Sequence, residues 1–146
     1  MGRTETRLRT TFMAAVLAVL AGCGGGGGPS AEKVALRWRQ ALEKGDYDTT
    51  WDLEGPNLRA PAGKAADIAT RKKDRFGQPL TPERAAVSIK PLRTAGDTEH
   101  PGDVWVYLQV TTKDAAQSHQ EAIGLSKISG AWRVQRREPF VSPPGQ

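Results

Sequence analysis

The chain has 146 residues, of which 38% are hydrophobic and 25% are charged, and its formal net charge is +5. This length and composition suit one globular domain. A single Cys excludes an intramolecular disulfide and a Cys-rich zinc site, and two His residues argue against a multi-His metal centre. We therefore expect neither a metal nor a cofactor. The excess of 21 basic over 16 acidic residues would suit nucleic acid or an anionic surface, depending on where the charges lie.

The N-terminus is typical of an export signal. Arg3, Arg7 and Arg9 precede an apolar run over residues 12–21. Ten helical residues span about 15 Å, half of the roughly 30 Å of a bilayer core, so this run is too short to cross a membrane. A basic start, a short apolar stretch and small residues at its end predict a signal peptide over residues 1–22.

The end of the apolar run, Leu20-Ala21-Gly22-Cys23, resembles the bacterial lipobox. That resemblance implies cleavage between Gly22 and Cys23 and a diacylglycerol joined to the Cys23 thiol through a thioether. Cys23 is the only Cys in the chain, and a linker follows it directly. An ordinary signal peptide, or a cytosolic chain with a buried Cys, is the alternative. We predict a lipoprotein of the bacterial cell envelope, held on the extracytoplasmic side of a membrane by acyl chains on Cys23.

Residues 23–30 form the predicted anchor and tether. Five consecutive glycines, Gly24 to Gly28, disfavour any fixed conformation because each would lose much backbone entropy. A glycine-rich coil of six or seven residues spans about 13–15 Å. Removing residues 1–22 takes away three Arg and one Glu, which lowers the net charge to about +3. The basic excess is thus partly a targeting feature, and we expect no nucleic-acid partner.

Helical periodicity begins after Ser30, a predicted N-cap. Apolar residues at 31, 34, 35, 38, 41 and 42 form one stripe, with polar residues including Arg39 and Glu43 placed outside it. Gly45 is a predicted stop. Asp46 then caps a second short helix that ends at Gly55-Pro56, and residues 61–76 form a third candidate helix. The apolar face of that third helix is thin, so we expect it to lie across an opening.

The period changes to two after residue 79. We predict strands over residues 85–90, stopped near Pro91, over 104–112, over 117–128 and over 132–136, with a tight turn at Ser129-Gly130. Helices followed by an antiparallel meander indicate an α+β fold, with two or three N-terminal helices packed on a curved sheet of about four strands. Residues 31–138 form the predicted domain, and residues 139–146 a frayed tail.

Within this domain the chain resembles the nuclear transport factor 2-like cone family, and it is similar to a bacterial domain family of unknown function. The matching positions are Gly45, Tyr47, Trp51, Gly77, Pro101-Gly102, Glu121 and Trp132. The resemblance implies helices on a strongly curved sheet that can enclose a pocket. Since members of the family include ligand binders, small enzymes and assembly modules, the fold does not set the function.

One strand carries the best candidate for catalysis. His119 and Glu121 share a face with Ile123 and Leu125 by the two-residue alternation. If the apolar pair points inward, His119 and Glu121 line the mouth of the cavity, where a His beside a carboxylate could act as an acid/base pair. Because this end of the strand adjoins a turn, solvated polar side chains are the alternative. His100, in a Gly/Pro loop, is a weaker candidate.

The aromatic residues suggest where a ligand would bind. Trp105 and Tyr107 occupy the strand face opposite Val106 and Leu108. Since one face must pack on the helices, the other is the better surface for a ligand or partner, and Trp105, Tyr107 and His119 are the predicted ligand contacts.

Two basic groups, at residues 71–75 and 133–137, have three interpretations. They suit anionic lipid headgroups or a solvated face, while nucleic acid conflicts with export. We predict a non-catalytic module that binds a small apolar ligand or another envelope protein. The alternative is a small cone-type enzyme that uses His119 and Glu121.

Overall fold

The computed structural model describes residues 28–73 and 85–139. Three helices come first, namely α1 (Ala31–Lys44), α2 (Tyr47–Leu53) and α3 (Lys64–Lys73). Four strands follow, namely β1 (Ala86–Gly96), β2 (Val104–Thr112), β3 (His119–Ile128) and β4 (Ala131–Pro139), with a 3-10 turn (Ala115–Gln117) between β2 and β3. The strands form one antiparallel sheet in the order β1-β2-β3-β4. The predicted α+β fold, helices on a curved four-stranded sheet, is confirmed.

Several predictions fall on residues that the structure does not describe. The signal peptide, the cleavage position at Gly22 and Cys23, and the tether up to residue 27 lie outside the described ranges, as do residues 74–76 of the third predicted helix, Gly77, and the tail from residue 140. Pro139, placed in the tail by the sequence, is the last residue of β4. Within the described ranges, no helix is long and apolar enough to cross a membrane.

The helix boundaries follow the predicted caps. The Ser30 hydroxyl accepts a hydrogen bond from the Lys33 amide at 3.3 Å, and Gly45 ends α1 in the left-handed region at φ 72°. The Asp46 carboxylate accepts from the Thr49 amide at 3.1 Å and so caps α2. These local signals settle where α1 ends and α2 begins.

The apolar core lies between α1 and the inner face of the sheet. Its fully buried members include Trp38 and Leu42 of α1, Ile123 and Leu125 of β3, and Val134 of β4. Ile123 and Leu125 of β3 therefore point inward, as the two-residue alternation predicts. The prediction that Arg39 lies outside the helical stripe is wrong, because Arg39 is only 3% exposed.

Strand β1 is longer than the sequence predicted. It continues through Pro91 to Gly96, because β1 is an edge strand and a proline without an amide proton is tolerated there. The register with β2 shifts at Val87 and again at Leu92. Within the part of the chain that the structure describes, these two residues are the exposed large hydrophobic side chains, at 65% and 50%. A third shift, between Gly124 and Leu125, interrupts the pairing with β4. Such bulges bend strands and contribute to the curvature of the sheet.

Candidate functional site

The inner face of the sheet carries a buried ionic cluster around Glu121. His119 Nε2 lies 2.8 Å from Glu121 Oε1, so the structure brings the predicted pair together. Arg39 Nε donates to Glu121 Oε2 at 2.8 Å, and Arg137 Nη2 donates to Oε1 at 3.0 Å. The Glu121 side chain is fully buried, so the expectation that it is solvated, or lines the mouth of a cavity, is wrong.

Helix α1 continues this cluster toward the edge strand. Arg39 Nη1 also donates to Glu43 Oε2 at 2.8 Å, and the other Glu43 oxygen accepts from the Ala86 amide at 2.7 Å. Glu43, predicted to lie outside the helical stripe, thereby connects α1 to the first residue of β1. The cluster joins α1, β1, β3 and β4 in one hydrogen-bonded system.

The electrostatics of the cluster make Glu121 a poor proton acceptor. Burial alone would raise the pKa of Glu121, but the hydrogen bond from His119 and the charges of Arg39 and Arg137 outweigh it and hold that pKa well below its usual range. The hydrogen bond to Glu121 raises the pKa of His119, against a smaller effect of burial. His119 Nδ1 lies 2.8 Å from the Gln117 carbonyl, so both ring nitrogens face acceptors, as in a protonated imidazole. This geometry suits an ion pair between a protonated His119 and the Glu121 carboxylate.

A second buried carboxylate, which the sequence did not suggest, belongs to Glu54 at the end of α2. Its Oε1 accepts a hydrogen bond from Trp38 Nε1 at 2.7 Å and lies 2.9 Å from Arg71 Nη2 in an ion pair. Burial raises the pKa of Glu54 to about 7, against the hydrogen bond from Trp38 and the charge of Arg71. Glu54 Oε2 is buried and has no hydrogen-bond partner among the described residues. Nothing in the local sequence marks Glu54, since the two groups that hold it are 16 and 17 residues away.

The outer face of the sheet carries the two predicted aromatic contacts. Trp105 and Tyr107 are half-buried neighbours on β2, and none of the described helices covers them. The Arg136 guanidinium lies 4.9 Å from the centre of the Trp105 ring, and that of Arg93 lies 3.7 Å from the centre of the Tyr107 ring. His119 is on the inner face, so the structure brings Trp105 and Tyr107 together and places His119 elsewhere.

A glycine makes the close packing on this face possible. A Cβ added at Gly124 would lie 3.1 Å from Trp105 Cζ3 and 3.1 Å from Arg136 Cβ. Gly124 is paired with both residues across the strands, and the absence of a side chain leaves room for the indole and the guanidinium.

The loop between β1 and β2 holds Arg136 in place. Arg136 Nη2 lies 2.7 Å from Asp97 and 3.0 Å from Asp103. Burial alone would raise the pKa of Asp97, but amide hydrogen bonds from Glu99 and His100 and the charge of Arg136 lower it to about 2. His100, the weaker catalytic candidate, is an exposed member of this cluster.

Two grooves open at the edges of these surfaces. One, of about 200 Å³, is bounded by the aromatic pair, Arg136, Asp97, Glu99 and Glu138. The other, of about 310 Å³, lies between the C-terminal half of α1 and the start of β1, where Val87 is exposed.

Several members of the two basic groups, for which anionic headgroups and a solvated face were the open interpretations, are engaged within the described part of the fold. Arg71 pairs with Glu54 and Asp67, Arg133 donates to the Asp52 carbonyl, and Arg137 pairs with Glu121. Among the described residues, no group of three His, Cys, Asp or Glu side chains is arranged to hold a metal ion.

Comparisons with known proteins bear on the fold. No family model and no curated protein matches the chain. The chain is similar to the solution structure of a SEC-C motif containing protein from Rhodopseudomonas palustris, with 18% identity and a TM-score of 0.50, over 78% of this chain and 83% of that chain. A more distant likeness, to an NTF2-like designed protein, has 17% identity and a TM-score of 0.42, over 74% of this chain and 91% of that chain. At these identities the likeness concerns the fold and says nothing about activity.

Proposed function

We propose that this protein is a lipid-anchored protein of the bacterial envelope whose domain is a non-catalytic binding module, with the outer face of the sheet as its binding surface. The observation that carries the binding surface is the position of Trp105 and Tyr107, side by side and half-buried on a face that no described helix covers. Aromatic and Arg side chains together are typical of the centres of protein interfaces.

The environment of Glu121 on the inner face supports the non-catalytic part of this proposal. Glu121 is fully buried and accepts hydrogen bonds from His119, Arg39 and Arg137. A carboxylate committed to three donors has little capacity left to accept a proton from a substrate.

The anchor part of the proposal is based on the lipobox-like Leu20-Ala21-Gly22-Cys23 and the glycines that follow it. The first helix begins at Ala31, eight residues after Cys23, so a short tether would keep the domain close to the membrane surface. Acyl chains on Cys23 would supply a lasting attachment.

The anchor is tested by expressing the full chain and its Cys23→Ala variant in a bacterial host. We expect the unaltered chain to carry a diacylglycerol mass on Cys23 and to partition into the detergent phase. The variant should lack that mass and stay in the aqueous phase. Detergent partitioning of the variant equal to that of the unaltered chain would contradict lipidation at Cys23.

The binding surface is tested by native mass spectrometry after mild extraction, with Trp51→Ala as the matched control for Trp105→Ala. Trp51 also has an arginine 4.9 Å from its ring, Arg59, but it lies in the helical layer. We expect a retained ligand or partner protein with the unaltered chain and with Trp51→Ala, and its loss with Trp105→Ala. Equal retention by both variants would show that the outer face is not the binding surface.

A small cone-type enzyme remains a second candidate, because His119 contacts Glu121 at 2.8 Å and its side chain is 15% exposed. This candidate requires a substrate turnover that His119→Ala abolishes while the fold survives. Turnover that persists in that variant would remove the proposed acid/base pair.

A further inference from the structure

We propose that the outer face binds a basic segment of a partner protein, with a Lys or Arg side chain seated between Glu99 and Glu138 beside Trp105 and Tyr107. This inference rests on the proposed function for the location of the binding surface, and it adds the chemical class of the partner.

The size of the groove favours a side chain of a larger molecule. Its volume is about 200 Å³, below the roughly 300–1,000 Å³ of sites that enclose small molecules. A partner protein can insert one side chain there and rest the remainder of its contact on the surrounding sheet. The groove is therefore better suited to anchoring a polypeptide than to enclosing a free ligand.

The charges around the groove select a cation. Asp97 and Asp103 are both ion-paired with Arg136, whereas Glu99 and Glu138 are exposed and form no ion pair with any residue in the described ranges. The Glu99 and Glu138 carboxylates therefore remain available to a partner, although the net charge of the whole chain is positive. Opposite charge attracts a basic segment to this surface and orients it there.

The same face already packs guanidinium groups against its aromatic rings. Arg93 lies 3.7 Å from the centre of the Tyr107 ring, and Arg136 lies 4.9 Å from that of Trp105. A partner's cation would meet the exposed Glu99 and Glu138 carboxylates beside these rings, where ion pairing can hold it.

Two other occupants fit the groove less well. An anionic lipid surface would meet the exposed Glu99 and Glu138 carboxylates, which repel it and outnumber the exposed Arg93 beside Tyr107. An apolar ligand would displace water from those carboxylates without pairing them, which is costly. A basic polypeptide avoids both penalties.

The test uses the full-length chain in detergent micelles, titrated with acetylated tetra-arginine amide and followed by ¹H–¹⁵N NMR. Tetra-citrulline amide is the control probe, because citrulline keeps the shape of arginine without its charge. We expect tetra-arginine to shift the Trp105 indole resonance and the amides of residues 97–100, 102–107 and 136–138, and tetra-citrulline to bind at least tenfold more weakly. The Trp105 indole is assigned by its loss in Trp105→Phe.

Matched carboxamide variants test the two carboxylates. Glu99→Gln and Glu138→Gln should each weaken tetra-arginine binding at least threefold, while Glu32→Gln, an exposed carboxylate on α1, should leave it unchanged. Equal binding of tetra-citrulline, shifts confined to other surfaces, or no shift at all would overturn the proposal. A concentration-dependent dimer that covers Trp105 without any peptide would also overturn it, in favour of a second copy of the chain. The native mass spectra can show a partner that the unaltered chain retains and Trp105→Ala loses, while the peptide titration fails. That combination would refute a basic partner segment but leave the outer face as the binding surface.

Discussion

Both faces of the sheet carry Arg and Glu side chains, but the environments of their carboxylates differ. On the inner face, Arg39 and Arg137 converge on Glu121. The Glu121 side chain is fully buried between α1 and the sheet. On the outer face, Glu99 and Glu138 remain exposed beside an aromatic pair. The difference shows that burial, rather than residue type, decides whether a carboxylate is ion-paired within the fold or remains exposed to solvent.

Single-residue alternation produces this separation. On β3, Glu121, Ile123 and Leu125 point inward, while Gly124 lies between them on the outer face and faces Trp105 of β2. A shift of one residue in register would exchange the two surfaces. The two surfaces are therefore expected to respond differently to substitution.

The largest effect is expected from Glu121→Gln. The change leaves the buried Arg39 and Arg137 side chains without their shared carboxylate, and breaking a buried ion pair costs about 3–5 kcal/mol. The free energy of unfolding, measured by urea denaturation at pH 7, should fall by that amount. A loss below about 1 kcal/mol would show that the inner cluster does not hold the fold together.

Glu54 should make stability depend on pH. Its pKa is raised from 4.5 to about 7 in the folded protein, so its contribution is fully present below pH 4.5 and is lost as the pH rises through 7. That shift corresponds to about 3 kcal/mol. The free energy of unfolding should be measured for the unaltered chain and for Glu54→Gln at several pH values. The difference between the two proteins should change by up to this amount between pH 4.5 and 8. A difference that stays constant over this range would contradict proton binding by a buried Glu54.

A smaller loss is expected from Gly124→Ala on the outer face. Its Cβ would meet Trp105 and Arg136 at 3.1 Å, and such overpacking costs about 1–3 kcal/mol. The variant should also shift the Trp105 indole resonance and weaken tetra-arginine binding. Unchanged stability and an unmoved indole would mean that the aromatic pair is not tightly packed against the sheet.

The smallest effect on stability is expected from the outer carboxylates. Glu99 and Glu138 are exposed, so the Glu99→Gln/Glu138→Gln double variant should change the free energy of unfolding by less than about 0.5 kcal/mol. The same urea measurement as for Glu121→Gln provides the comparison. A loss near that of Glu121→Gln would remove the distinction between the two faces.

Local patterns in the sequence predict much of the fold. Ser30, Gly45 and Asp46 mark the ends of helices through their own caps, and the alternation of β3 places Glu121 inward. The length of β1 is not predictable in this way, because Pro91 is acceptable only once β1 is known to be an edge strand.

The candidate sites depend more on tertiary contacts. Arg39 is 82 residues from Glu121 in the chain, yet its position eight residues after Ala31 lies on the border of the apolar stripe and could have indicated burial. Glu54 gives no comparable signal, since Trp38 and Arg71 meet it only after α1, α2 and α3 have packed. Alternation along β2 places Trp105 and Tyr107 on one face, but the carboxylates beside them come from a loop and another strand.

The most direct test of the contrast between the two faces is a chemical-shift map of the full-length chain with saturating tetra-arginine. We predict shifts at the Trp105 indole and at the amides of Glu99, Tyr107 and Glu138, with His119 and Glu121 unmoved. Shifts centred on His119 and Glu121, with no shift on the outer face, would contradict binding at the outer face. They would indicate that the inner cluster is the binding site.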